Sequence, residues 1–188
     1  MILLKNVYKN AQVVNSGKAL TTVNEFTDQL PALRPAVLLE VAHKVIQIID
    51  MDIDKIVTEE DKGAPLATAV SLLSGKPLAM ARWYPYSLSE LNNNVVNISS
   101  EYFEGVVYLN GISAGDRVAI IDDTLSTGGT VIALIKAIQN SGGIVKDVIC
   151  AVEKIQNNGK KNIFTQTGIN VKTLMKISVK PHGVDIIE

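Results

Sequence analysis

Two spacings of hydrophobic positions run along this chain, one typical of helices and one typical of buried strands. Apolar residues recur every three or four positions after Pro35, a residue type favoured in the first turn of a helix. Short continuous apolar runs bounded by polar turns indicate strands. Predicted helices cover 35–49, 64–73 and 130–140, and predicted strands cover 56–57, 77–83, 106–109, 117–121, 146–152 and 171–179.

Strands alternate with helices from Lys55 onward, an order typical of a parallel sheet flanked by helices. We therefore expect an α/β fold with a parallel sheet of about five strands. The length predicts a single domain over residues 1–188. Because the two ends of the chain do not follow the alternation, we expect a core at about 35–159 and a small hood from about 1–34 and 160–188.

The composition agrees with buried strands. Of the 188 residues, 47% are hydrophobic but only 5% are aromatic, so the apolar side chains are mostly aliphatic. The 18 Lys and Arg residues against 19 Asp and Glu residues give a formal net charge of −1. A protein that binds duplex nucleic acid usually carries a basic excess, so nucleic acid is not an expected partner.

The sequence also bears on the compartment. Cys150 is the single cysteine and lies in an apolar run, where a buried and inert thiol is expected. The apolar stretch after Met1 is too short for the core of a signal peptide, and no run approaches the roughly 18 apolar residues of a membrane helix. We expect a soluble, cytoplasmic protein without membrane contact.

The segment 117–130 gives the strongest indication of chemistry. An apolar strand leads into Asp122 and Asp123, and a loop of hydroxyl and glycine residues then leads into a helix. Ligands of open α/β sheets bind at the carboxyl ends of the strands. Backbone N–H groups of such a loop form an anion cradle, whereas the two acids suit hydroxyl groups or Mg²⁺. One loop thus offers a phosphate end and a polyol or metal end, which predicts a sugar phosphate as ligand.

Two other interpretations of this segment explain less. A helix cap needs only one hydroxyl or acid side chain, and this loop has several of them around two glycines. The Gly-Lys-Ser/Thr signature of nucleotide-binding P-loops is absent from it.

Residues Ile120–Thr130 resemble the phosphoribosyl-diphosphate (PRPP) motif of type I phosphoribosyltransferases: two hydrophobic residues, two acids, a spacer and Thr-Gly. The resemblance extends over about Lys55 to Lys154. The form DD-x-x-S-TGGT is similar to that of purine enzymes, both adenine phosphoribosyltransferases and archaeal-type hypoxanthine/guanine phosphoribosyltransferases. Segments 31–35 and 108–112 look more like the archaeal-type group. The resemblance implies the type I phosphoribosyltransferase fold and a homodimer.

The resemblance also implies roles along the chain. Asp122 and Asp123 would contact the ribose hydroxyls, and Lys62 would bind the diphosphate. Arg82 would reach the diphosphate of a neighbouring subunit. The acid at Asp61 and the tryptophan at Trp83 depart from the family pattern. The 5′-phosphate loop would comprise Ser126, Thr127, Gly128, Gly129 and Thr130, and the diphosphate loop Glu60, Asp61, Lys62 and Gly63.

Residues 84–100 lack a stable helical period and predict a loop or a mobile hairpin. Directly after it, Glu101 and Tyr102 resemble the catalytic loop of adenine phosphoribosyltransferases. Glu101 would then be the acid or base beside the purine imidazole, and Tyr102 would help to close over PRPP. A loop that closes there would exclude water from the reactive sugar.

The choice of purine base stays open. Lys154 lies where some 6-oxopurine enzymes place a lysine that donates to O6 of the base. Glu153 resembles the adenine enzymes instead. Ser126 stands where other purine enzymes carry a catalytic aspartate, and this also favours the adenine-type arrangement.

The expected function is purine salvage: PRPP and a purine base give a purine nucleotide and diphosphate. Mg²⁺ is the expected cofactor, bound to PRPP and reached only indirectly by Asp122 and Asp123. The alternative is a regulatory protein of the same fold that senses PRPP or a nucleotide without catalysis. Orotate as substrate fits less well, because the TGGT form and the Glu101–Tyr102 pair are of the purine type.

Overall fold

The computed structural model describes residues 1–15, 17, 19–84, 94–99 and 104–187. Within them the helices are α1 (Leu3–Lys9), α2 (Glu25–Asp28), α3 (Pro35–Ile46), α4 (Ala64–Ser74), α5 (Gly129–Asn140) and α6 (Gly159–Thr167). The strands are β1 (Gln12–Asn15), β2 (Leu20–Val23), β3 (Lys55–Glu59), β4 (Leu78–Ala81), β5 (Asn94–Ser99), β6 (Glu104–Leu109), β7 (Arg117–Leu125), β8 (Ile144–Lys154), β9 (Lys172–Lys180) and β10 (Gly183–Ile187). A 3-10 turn, Ile155–Asn157, joins β8 to α6.

The central sheet has six strands in the order β10-β9-β8-β7-β3-β4. All neighbours from β9 to β4 are parallel, and β10 pairs antiparallel with β9 at the edge. The α/β fold class and the five parallel strands are therefore confirmed, with one antiparallel strand added. Residues 172–187, placed by the sequence in the hood, extend this sheet. Strands β1 and β2 form a separate two-stranded sheet, and β5 pairs antiparallel with β6.

Helices cover both faces of the sheet. On β7, Ala119 and Ile121 pack into the cluster that contains α1, α3 and α4, whereas Val118 and Ile120 pack into the cluster that contains α5. Successive side chains of a strand point to opposite faces, so a strand buried on both faces needs a continuous apolar run. This requirement explains why the central strands could be recognised without polar alternation.

Helix α1 is fastened to α3 by one carboxylate. Glu40 accepts hydrogen bonds from the backbone N–H groups of Ile2, Leu3 and Leu4, at 2.7, 3.1 and 3.0 Å. These N–H groups belong to the first turn of α1 and have no partner within the helix. The contact seats α1 so that Tyr8 is fully buried.

Strand β7 is longer than its apolar run predicts. It continues to Leu125, so Asp122 and Asp123 lie inside the strand rather than after it. Backbone pairing of Asp122 and Thr124 with β8 fixes both acids at the carboxyl edge of the sheet. Cys150 is buried, as expected. Among the residues described, no helix has both the length and the apolar character needed to span a bilayer.

Candidate active site

A cavity of about 400 Å³ opens at the carboxyl edge of the sheet. The site residues from the ends of β3, β7 and β8 meet there, together with side chains from β2 and α2. Its lining consists of Thr21, Thr22, Thr27, Glu59, Asp61, Lys62, Trp83, Asp122, Asp123, Thr124, Leu125, Ser126, Thr127, Gly128, Gly129, Thr130, Val131 and Lys154. A volume of this size lies within the ordinary range for small-molecule sites.

The loop 126–130 forms one wall of the cavity and leads directly into α5. Gly128 has φ +89°, a left-handed conformation that favours glycine, and it stands at the N-cap of α5 without a side-chain cap. The first N–H groups of α5 therefore face the loop end of the cavity, where the helix dipole favours an anion. The predicted phosphate loop thus has the local geometry of an anion cradle.

Three carboxyl groups are buried beside this loop. Asp122, Asp123 and Glu59 are 5%, 4% and 6% exposed. Burial raises the pKa of all three, and for Asp122 the neighbouring charges of Asp123 and Glu59 raise the pKa further. Buried carboxyl groups that lie this close together are stabilised by hydrogen bonds from hydroxyl groups or by a nearby positive charge. The three carboxyl groups therefore suit the hydroxyl groups of a ribose.

Within the described residues, no group of three or more His, Cys, Asp and Glu side chains is arranged to hold a metal ion.

Glu59 also shapes the predicted diphosphate loop. Its two carboxylate oxygens accept hydrogen bonds from the N–H groups of Asp61, at 2.8 Å, and Gly63, at 3.0 Å. A Cβ atom at Gly63 would lie 2.5 Å from Thr58 Oγ1 and 2.7 Å from Asp122 Oδ1, so only glycine fits there. The sequence analysis did not single out Glu59, although the carboxylate at the end of a buried strand is a usable signal.

The members of the diphosphate loop point in different directions. Lys62 and Asp61 line the cavity. Lys62 Nζ donates to Asp28 Oδ1 of α2 at 2.6 Å. Glu60 turns the other way, and its Oε1 accepts the backbone N–H of Trp83 at 2.9 Å. Hydrogen bonds to Glu59 and to the segment after β4 therefore hold the loop in position.

Lys154 is a second cation that lines the cavity. It is 3% exposed, and its Nζ donates to Thr21 Oγ1 on β2 at 3.2 Å. Glu153, its neighbour in the chain, points away: it accepts a hydrogen bond from the Thr173 hydroxyl and forms an ion pair with Lys160. Lys154 rather than Glu153 thus lines the cavity.

Asp123 is held by a hydroxyl that the sequence analysis missed. Thr124 Oγ1 donates to Asp123 Oδ2 at 2.9 Å, and the buried Tyr8 hydroxyl lies 3.4 Å from Thr124 Oγ1. Tyr8 and Thr124 are more than 100 residues apart in sequence, so no local pattern could reveal the contact.

Among the described residues, Glu60, Gly63 and Arg82 are predicted site residues that do not belong to the cavity lining. Arg82 is not part of the described lining, and its guanidinium lies over the ring of Tyr84 and donates to the Tyr84 hydroxyl at 3.0 Å. Its role toward a neighbouring subunit stays a prediction. Glu101 and Tyr102 lie outside the described residues, so their proposed roles are also predictions.

The fold and the cavity define an α/β protein with a glycine-containing loop at a helix N-terminus and a pair of acids at one sheet edge. The model of the phosphoribosyl transferase domain matches residues 31–184, and this chain belongs to that family.

Two similar proteins match this chain over nearly its full length. The chain is 42% identical over 179 residues to the hypoxanthine/guanine phosphoribosyltransferase of Methanothermococcus okinawensis. The matched part covers 95% of this chain and 96% of that protein. It is 39% identical over 187 residues to the protein of the same name from Methanotorris igneus, covering 99% of this chain and 100% of that protein.

Solved structures share the fold. The adenine phosphoribosyltransferase of Thermoanaerobacter pseudethanolicus superposes with a TM-score of 0.75 at 22% identity, over 92% of this chain and 99% of that chain. The Trypanosoma brucei adenine phosphoribosyltransferase, in complex with AMP, pyrophosphate and ribose-5-phosphate, superposes with a TM-score of 0.73 at 17% identity. The superposition covers 93% of this chain and 79% of that chain. At this level of identity the likeness establishes the fold. The predicted resemblance to purine-type phosphoribosyltransferases is confirmed.

Proposed function

We propose that this protein is a purine phosphoribosyltransferase that transfers the phosphoribosyl group of PRPP to hypoxanthine or guanine. One observation carries the proposal: the phosphate loop, the two acids and Lys62 line the same cavity as a buried lysine, Lys154. The relatives at about 40% identity bear the name hypoxanthine/guanine phosphoribosyltransferase, which supports the same base class.

Each part of the cavity suits one part of the substrates. The N–H groups at the start of α5 suit the 5′-phosphate, and Asp122 and Asp123 suit the ribose hydroxyls. Lys62 suits the diphosphate. The ammonium group of Lys154 can only donate hydrogen bonds. It can therefore donate to O6 of a 6-oxopurine, which is an acceptor, but it does not match the 6-amino group of adenine, which is itself a donor.

In the proposed reaction the C1–O bond to diphosphate breaks, and a bond forms between C1 and a ring nitrogen of the purine, which loses its proton. Negative charge develops on the leaving diphosphate, where Lys62 can stabilise it. The two acids hold the ribose while positive charge develops at C1. Glu101 is the proposed acceptor of the purine proton. The products are the purine nucleotide and diphosphate.

Mg²⁺ is the proposed cofactor, held mainly by PRPP with Asp122 and Asp123 nearby. When bound, it supplies charge neutralisation to the diphosphate leaving group. Asp122 and Asp123 line the cavity with carboxyl oxygens, the ligand type that Mg²⁺ prefers, and this supports a cation on the bound PRPP. A homodimer, in which Arg82 serves the neighbouring site, belongs to the same proposal.

Incubation of the protein with PRPP, Mg²⁺ and each of adenine, hypoxanthine, guanine and xanthine tests this function. The expected result is nucleotide and diphosphate in equal amounts with hypoxanthine and guanine, and none after chelation of Mg²⁺. PRPP binding without turnover on any base would instead support the regulatory alternative, which the departures at Asp61 and Trp83 favour. Absence of both PRPP binding and turnover would refute the transferase proposal and the regulatory alternative alike.

A further inference from the structure

The turn that follows β8 packs against the loop 126–130 from outside the cavity. Asn157 Nδ2 donates to Ser126 Oγ at 2.5 Å. Asn162 Nδ2, one turn into α6, donates to the backbone oxygen of Thr127 at 3.0 Å. Two amide side chains thus bind two successive residues of the phosphate loop.

Close packing joins the same two segments. A Cβ atom at Gly159, the first residue of α6, would lie 2.3 Å from the backbone oxygen of Ser126. A Cβ atom at Gly128 would lie 2.8 Å from Ile163 and 3.1 Å from the backbone oxygen of Gly159. Real Cβ atoms do not approach neighbours so closely, so both positions require glycine. The start of α6 and the phosphate loop are therefore in backbone contact.

We propose that Asn157 and Asn162 are positioning residues for the 5′-phosphate loop of PRPP. The proposal rests on the proposed function of that loop and adds two residues that do not touch the ligand, since neither belongs to the described lining of the cavity. Asn157 sets the position of the Ser126 hydroxyl, and Asn162 sets the orientation of the peptide group between Thr127 and Gly128.

The physical basis is preorganisation. An anion cradle binds well when its N–H and hydroxyl groups already point at the anion, because no free energy is then spent on ordering the loop. Gly128 and Gly129 give the loop much conformational freedom, so the correct conformation has to be imposed from outside. The two asparagines are half-buried, Asn157 at the end of the 3-10 turn and Asn162 in the first turn of α6, and these positions suit that role.

The two ends of PRPP can be probed separately with ribose 5-phosphate and with inorganic diphosphate plus Mg²⁺. Calorimetry on the full chain measures both affinities for wild type, Asn157→Ala and Asn162→Ala. We expect each variant to bind ribose 5-phosphate about five- to tenfold more weakly, as for loss of one hydrogen bond, with unchanged diphosphate affinity. In steady-state assays KM for PRPP should rise by the same factor while KM for hypoxanthine stays constant.

Gln156→Ala and Gln166→Ala are the matched controls. Both side chains are exposed, on the same 3-10 turn and the same helix, and both variants should bind like wild type.

Wild-type affinity for ribose 5-phosphate in both asparagine variants would overturn the proposal. Equal weakening of ribose 5-phosphate and diphosphate binding would also overturn it, because a general loss of structure would affect both ends. Failure of the wild-type protein to bind either probe would instead refute the proposed function on which the inference rests. If one asparagine variant does not fold, the other gives the same test through the second hydrogen bond.

Discussion

Lys62 Nζ lies 2.6 Å from Asp28 Oδ1, so the cation proposed to bind diphosphate is paired with an acid of α2. Asp28 also accepts hydrogen bonds from the Thr27 hydroxyl and the N–H of Asn24. Burial opposes ionisation of Asp28, but the hydrogen bonds from Lys62 and Thr27 outweigh it and hold the pKa below its usual value. The ion pair therefore persists at neutral pH and links the N-terminal segment to the diphosphate loop.

Asp28→Asn should strengthen PRPP binding. The carboxylate competes with diphosphate for Lys62 and repels it, and the amide removes that charge while it keeps a similar shape. We expect KM for PRPP to fall about threefold, within the range of a partly exposed ion pair. Initial rates at varied PRPP measure it. A rise in KM would show instead that Asp28 holds Lys62 in its productive position.

Asp123→Asn should lower kcat/KM about 100-fold, because the proposed ribose contact would lose a charged hydrogen-bond acceptor. Burial raises the pKa of both Asp122 and Asp123, so the ionised pair is costly to the fold. The thermal midpoint should therefore not decrease. Asp185→Asn, at an exposed acid paired with Lys180, is the control and should keep wild-type activity. Loss of folding in Asp123→Asn would assign the acid a structural role.

The strand, loop and helix of segment 117–130 were predictable because the information for them is local. Strand, acids, glycines and helix follow one another within 117–130, and the chemistry of each residue type is visible in order. The central strands were predictable for a related reason, since burial on both faces demands unbroken apolar runs. By contrast, β1 and β2 have four residues each and mixed burial, too short a pattern to indicate a strand.

The supports of the site could not be predicted, because they join distant parts of the chain. Lys154 meets Thr21 across 133 positions, and Lys62 meets Asp28 across 34. Strand β10, at the sheet edge, is a further case: its pairing depends on β9 rather than on a pattern of its own. Tertiary packing decides such contacts, and a single sequence carries no periodicity for them.

The pH dependence of stability should reveal the contact between Glu40 and the first N–H groups of α1. Burial raises the pKa of Glu40, but the N–H groups of Leu4, Leu3 and Ile2 outweigh it, so the folded pKa lies below the unfolded value. The carboxylate therefore stabilises the fold fully above the unfolded pKa, and this contribution disappears as the pH falls through the folded pKa.

The measurement is denaturant unfolding of wild type and Glu40→Gln between pH 7 and pH 3. At pH 7 the variant should be less stable by about 1 kcal/mol, as for loss of a helix cap. The difference in the free energy of unfolding should shrink once the pH falls below the ordinary pKa range of a glutamate. A difference that stays constant with pH would contradict a role of the Glu40 charge.

Lys154→Met should change the choice of base. Methionine has a similar length but cannot donate to O6, and it leaves no charge in the buried position. We expect kcat/KM for hypoxanthine to fall about 100-fold, as for loss of a charged hydrogen bond in a closed site, with unchanged KM for PRPP. Lys161→Met, at an exposed lysine of α6, is the control. An equal fall for every base would argue for a role of Lys154 outside base recognition.

The ratio of kcat/KM for hypoxanthine to kcat/KM for adenine, measured on the wild-type protein with saturating PRPP and Mg²⁺, tests the central claim most directly. The proposed hydrogen bond from Lys154 to O6 predicts a ratio of at least about 100, since a site built for one hydrogen-bonding pattern rejects the other strongly. A ratio near or below one would contradict the assignment of Lys154 and the 6-oxopurine specificity.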